Sequence, residues 1–232
     1  MVDFFLLGGG SIIVFAVLAA TVPVETGHAT LIGLSLVLAH VINHPHFAHS
    51  YQIFYCNFGA KIRGRGYSKE LQIRYVAAGL VVPVILALLM VAGIANGEAH
   101  VLGLGLNVMY FFVGWHYVKQ GYGMLMLDAA LKKRYFDANE KSLLLANAYV
   151  TWICHWALAN VVLHRSDFWN LKAYTIDIPT PLLAGAIGAA ALTTTATVVA
   201  LVRRVAIKKK PIPVNGVTAY VVSIYIWPTF PR

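Results

Sequence analysis

The sequence predicts an all-α polytopic transmembrane helix bundle of six spans, with a partial seventh near the C-terminus. Three observations carry that prediction. Of 232 residues, 59% are hydrophobic and only 12% charged, about half the charged share of a soluble domain. Several apolar runs reach the roughly 20 residues that a helix needs to cross a bilayer. Basic residues gather in short segments between those runs, dense and sparse in alternation.

The spans are expected at 4–22, 28–43 (extendable towards 49), 73–95, 100–120, 143–163 and 180–202. Pro83 predicts a kink in the third, which neighbouring helices in a bundle can accommodate. The fourth can run on towards Tyr135. The stretch Val217 to Phe230 is short for a span and contains Pro228, so it reads as re-entrant, interfacial or the start of a further span. The run Ala184 to Ala191, rich in glycine and alanine, suits close helix packing, within the bundle rather than between copies. The polar stretches 58–72 and 164–178 are too short to fold alone. Residues 1–232 therefore read as a single integral membrane domain.

Charge sets an orientation. Lys61, Arg63, Arg65, Lys69 and Arg74 lie between spans two and three, and Lys132, Lys133, Arg134 and Lys141 between four and five. Arg203, Arg204 and Lys208 to Lys210 follow span six, whereas the opposite loops hold only Arg165 and Lys172. The positive-inside rule then puts the N-terminus in the cytoplasm, as in a protein of the bacterial inner membrane. With the charge in loops, no basic, aromatic-laced soluble face exists for nucleic acid. Cys56 and Cys154 stand far apart and form neither a disulfide framework nor a CxxC pair.

Histidines give the functional lead. Four of nine fall in ten residues, His40, His44, His46 and His49, at the end of an apolar run. Imidazole is the commonest metal ligand among side chains, and ionisable groups inside spans are usually functional. His40 and His44 are four apart and share a helix face; Pro45 decides whether His46 and His49 turn towards the same centre. At 1.5 Å rise per residue, His40 falls roughly 17 Å from one boundary and His44 about 6 Å deeper. His116 on span four then matches the level of His44, and His155 on span five that of His40. Gln120, one turn beyond His116, is placed to orient a metal-bound imidazole. Trp152 and Trp156, flanking His155, either pack or wall a pocket. His28, His100 and His164 fall at span ends, where an interfacial histidine needs no special role. Asp128, near the end of span four, is expected simply to face the interface. A site this poor in carboxylates argues against magnesium or calcium and against a carboxylate-rich di-iron bundle.

His40-x3-His44, His44-x-His46-x2-His49, His116 and His155, on a chain of this topology, resemble the integral-membrane non-haem iron oxygenases. That group includes fatty-acid desaturases and hydroxylases and the Brp/Blh carotene-cleaving proteins. No paired His-His occurs, so the sparser carotene-cleaving type is nearer. The resemblance implies non-haem iron held by these six histidines and a membrane oxidoreductase, a monooxygenase, hydroxylase or desaturase, acting on a lipid-soluble substrate. An electron-donor protein would serve as partner. Other readings stay open: haem b held by facing histidines, a non-catalytic subunit of a larger membrane complex, and a transporter with histidines as a proton relay, which the lack of repeat symmetry disfavours.

Overall fold

A chain with long apolar runs satisfies its backbone by internal hydrogen bonds, and in this protein helices do so over almost the whole described length. The computed structural model describes residues 44–163, 167–168, 171–172 and 174–225, and positions 13, 17, 37 and 41 besides. The chain divides into two compact units, one of Ala16–Val101 and one of Met1–Phe15 with Leu102–Arg232.

In the smaller unit, helix α1 spans His44–Tyr55, α2 Phe58–Arg63 and α3 Lys69–Val76. A π-helical turn at Ala77–Val81 then leads into α4, Val82–Ala95. Pro45 lies within α1. Asn57 takes left-handed angles (φ 53°) after α1. The chain turns back there, and Lys61 Nζ donates to the carbonyls of Ile53 and Phe54, both at 2.9 Å. Those acceptors belong to the last turn of α1, which has no helical donors of its own. Ser68 caps α3 by accepting from the Leu71 amide.

The π turn has an identifiable cause. Pro83 has no N–H to offer the carbonyl four residues back, that of Gly79, and its ring crowds that turn. Tyr55 of α1 fills the vacancy: its hydroxyl donates to the Gly79 carbonyl at 2.7 Å. Glycine is required at 79 because a Cβ there would lie 2.7 Å from the Phe58 ring and 2.8 Å from that of Phe54. Around this contact Phe54 packs on Tyr75 at 5.5 Å and Tyr55 on Phe58 at 5.2 Å. Beyond it, α4 is apolar on every side and still exposed, with Leu88 at 64% and Ile94 at 68%. Such a helix is stable only against an apolar surrounding.

In the larger unit, α5 spans Ala99–Leu131, beginning at the unit boundary, and α6 spans Ala138–Leu163. A two-residue antiparallel ladder follows, pairing β1 (Asp167–Phe168) with β2 (Leu171–Lys172). Then come α7, Thr180–Ala206, and α8, Val214–Tyr225. Helix α5 closes with paired bonds from Arg134 N to Ala129 O (2.7 Å) and Lys133 N to Ala130 O (3.1 Å), the Schellman pattern. Three residues later Asp137 and Glu140 form a capping box: Glu140 N donates to Asp137 Oδ1 at 2.9 Å and Asp137 N to Glu140 Oε2 at 3.1 Å. Helices α6 and α7 pack side by side. The core comprises Val118, Leu125 and Ala129 of α5, Phe136, Leu144 and Ala148, with Tyr220 and Ile224 of α8.

Among the described residues four helical stretches, not six, are long and apolar enough to cross a membrane: Lys69–Ala95, His100–Leu131, Ala138–Val162 and Thr180–Ala206. The expected spans 4–22 and 28–43 lie outside the described residues save for isolated positions. The other four spans stand where expected, each lengthened at the end where a cap or charged turn extends the helix. Of the expected partial seventh, the part up to Tyr225 belongs to the 12-residue α8, about 18 Å long, and residues 226–230 lie outside the described residues. Among the described residues, a Cβ at Gly185 or Gly188 of the small-residue run would meet nothing within 4 Å.

Removing the Tyr55 hydroxyl should leave the Gly79 carbonyl without its donor. Tyr55→Phe is expected to lower stability by about 1–3 kcal/mol, read as a drop in melting temperature in detergent. An unchanged melting temperature would show that the π turn satisfies its carbonyl without Tyr55.

Candidate functional site

Polar side chains in the larger unit are buried in three groups, each tying helices together. Farthest from the α5–α6 turn, Asn107 of α5 donates to Asn160 Oδ1 of α6, and Trp156 Nε1 donates to Asn107 Oδ1 at 2.9 Å. Asn160 Oδ1 also accepts from the Ile176 amide at 2.8 Å, which fastens the approach to α7. One turn along, Trp152 Nε1 donates to the Phe111 carbonyl at 2.8 Å, and its ring lies 4.4 Å from that of Phe111. Both tryptophans beside His155 are therefore ties between α6 and α5.

In the middle, Asn147 of α6 is 1% exposed and uses both ends of its amide. Its Nδ2 donates to Tyr220 Oη (3.1 Å) and Tyr225 Oη (3.4 Å) of α8. Its Oδ1 accepts from Thr194 Oγ1 of α7 (3.1 Å) and Thr151 Oγ1 (3.4 Å). Tyr220 passes its proton bond on to the Leu144 carbonyl at 2.6 Å. One amide thus joins α6, α7 and α8.

At the turn, Arg204 of α7 is 2% exposed. Its Nη1 meets Glu140 Oε2 at 2.6 Å, and its Nη2 donates to the carbonyls of Arg134 (3.0 Å) and Tyr135 (2.9 Å). Its guanidinium carbon stands 4.6 Å from the Phe136 ring centroid, a cation–π contact. Lys208 bridges Asp137 (2.7 Å) and Glu140 (2.9 Å). Asp128, expected merely to face the interface, accepts from the Gly216 amide at 2.9 Å and so caps the start of α8.

The histidines are arranged differently. His116 and Gln120 are both exposed, one turn apart on α5. Two nearby glycines of α5 face neighbours instead: a Cβ at Gly114 would come within 3.0 Å of Trp152, and one at Gly121 within 2.6 Å of Ser223. His155 on α6 is half-buried. The pairings of Phe111 with Trp152 and Asn107 with Trp156 set the register of α5 against α6. That register offsets His155 from His116 by about eight residues, roughly 12 Å along the axis. The two imidazoles stand at different levels of neighbouring helices and do not chelate one ion between them.

In the smaller unit His49 is exposed on α1. His44 and His46 belong to the same helix by their backbone, while their side chains, like all of His40, lie outside the described residues. His100 pairs with Glu98 at 2.8 Å; His28 and His164 also lie outside the described residues. Among the described residues no three of His, Cys, Asp and Glu come together to hold a metal ion. Cys56 is exposed, Cys154 buried, and both are free thiols.

No family model matches the chain, and neither does any curated protein or solved structure. The buried groups Asn107, Asn147, Asn160, Glu140 and Arg204 were not marked out by the histidine pattern. One signal for them was present, the Asp137-x-x-Glu140 box just ahead of an apolar run.

The Lys208–Asp137 bridge gives a pH dependence of known sign. The Lys208 hydrogen bond holds the Asp137 carboxyl below its ordinary 3.8, helped by the capping bond from the Glu140 amide. Hydrogen bonds to Asp137, then Glu140, hold the Lys208 ammonium above its ordinary 10.5. Asp137 therefore contributes stability that is complete above pH 3.8 and lost as pH falls through its lowered value. Lys208 contributes stability complete below pH 10.5 and lost as pH rises through its raised value. The melting-temperature gap between the wild type and Asp137→Asn should be flat from pH 5 to 9 and close below about pH 4. A gap that persists in strong acid would mean that the bridge does not depend on the carboxylate.

Proposed function

We propose that the protein is an integral membrane metalloprotein in which histidines hold non-haem iron, and that it oxidises a lipid-soluble substrate. The observation that carries this reading is the density of histidine on apolar segments: His40, His44, His46 and His49 within ten residues, and His116 and His155 on two membrane-length helices. Those six are the candidate ligands, with Gln120 as the group that would orient His116. Support for a membrane setting comes from four helices long and apolar enough to cross one and from the exposed apolar surface of α4. The N-terminus is cytoplasmic on this reading, by the positive-inside rule applied to the sequence. Bound iron would supply dioxygen activation.

A second reading has an observation in its favour. Among the described residues nothing covers the small-residue face of α7 around Gly185 and Gly188, as in a subunit that packs against another chain of a membrane complex. Histidines in such a subunit would hold haem b or another pigment.

Purification of the full chain in mild detergent, with elemental analysis and an absorption spectrum, tests the first reading and separates it from the second. Stoichiometric iron without a Soret band, falling in His44→Ala and His116→Ala, is the expected result. A Soret band would favour haem. Full iron retention in both variants would remove the proposed ligands.

A further inference from the structure

The end of the larger unit at the α5–α6 turn carries nine lysines and arginines within residues 128–141 and 203–210, against three carboxylates. Each carboxylate is already engaged: Asp128 by Lys132 at 2.8 Å, Asp137 by Lys208 at 2.7 Å, Glu140 by Arg204 at 2.6 Å. Lys133, Lys141, Arg203, Lys209 and Lys210 are exposed and have no ion pair among the described residues. The segments that bear them are fixed against each other. Arg204 holds the carbonyls of Arg134 and Tyr135, and Arg134 Nη1 donates to the Ile212 carbonyl at 2.7 Å.

A second observation concerns the backbone. Lys133 and Lys209 both lie in the left-handed region, at φ 54° and 53°, just past the ends of α5 and α7. A residue with a Cβ is strained there, and glycine is the usual occupant at the end of a helix. Lysine at both positions keeps a cation on each helix end although the backbone favours glycine.

We propose that this end of the unit is a docking surface for the anionic phospholipid headgroups of the leaflet it meets. The complementarity is of charge and of place. Two membrane-length helices, α5 and α7, end at this surface and a third, α6, begins there, so its unpaired cations stand at headgroup level when those helices cross a bilayer. Juxtamembrane lysines and arginines gain affinity for an anionic surface, roughly fivefold each.

The test uses the full chain in neutral detergent, titrated with phosphatidylglycerol or phosphatidylcholine, reading melting temperature and lipid retained in native mass spectra. Lys133→Gly/Lys209→Gly relieves the backbone and removes two cations. It should melt at the wild-type temperature or higher without lipid, while phosphatidylglycerol affinity falls at least tenfold. Lys141→Gln/Lys210→Gln, which leaves both left-handed positions intact, should lower that affinity in the same direction and decides the matter should the glycine variant not fold. Unchanged phosphatidylglycerol affinity in the folded variants would overturn the proposal. So would equal retention of phosphatidylcholine, or a melting-temperature rise of the same size from inorganic phosphate alone.

Discussion

The larger unit depends on the buried pair of Arg204 and Glu140. A guanidinium at 2% exposure is tolerable only where its charge is matched and its donors are filled. Four of its five N–H groups find acceptors: Glu140, the carbonyls of Arg134 and Tyr135, and Pro211 at 3.4 Å. Those acceptors come from the α5–α6 turn, the first turn of α6 and the link from α7 to α8. One side chain therefore sets where two connections and the start of α6 lie. Glu140 is bound from two sides, since it also closes the capping box of α6. Moving α7 would break the start of α6 as well.

The same logic recurs wherever this chain places a polar group among apolar ones. Asn147 gathers hydroxyls from α6, α7 and α8, and Asn107 with Asn160 does so for α5, α6 and the approach to α7. In the smaller unit Tyr55 completes the carbonyl that Pro83 leaves without a donor. Helices with apolar faces all round gain little direction from hydrophobicity when their surroundings are apolar too. Specific hydrogen bonds then select one packing from many. Thr197 is the exception among the described residues, a buried hydroxyl with no partner.

Hydropathy and charge made the four described membrane-length helices legible, because a run of about 20 apolar residues is a signal that no tertiary contact needs to supplement. Ends were harder. Residues 138–142 are polar, so the start of α6 was missed by five residues even though the Asp137–Glu140 box announces it. Asp128 and Arg204 each read as ordinary members of a basic, interfacial segment; their burial depends on α8 and the α5–α6 turn folding over them, which no local pattern records. The histidines taught the opposite lesson. Spacing and estimated depth single out His116 and His155, but depth along a helix does not say which way a side chain faces. Rotation of α5 is set by the glycines at 114 and 121, and these turn His116 to the exposed side.

A mutant cycle on the central pair tests this account most directly. Arg204→Met alone should lower unfolding stability by about 3–5 kcal/mol, because Glu140 is left buried without its partner. Arg204→Met/Glu140→Met should recover most of that loss. An Arg204→Met protein that unfolds like the wild type, or a double variant whose loss is the sum of the two single losses, would contradict the claim that this pair organises the unit.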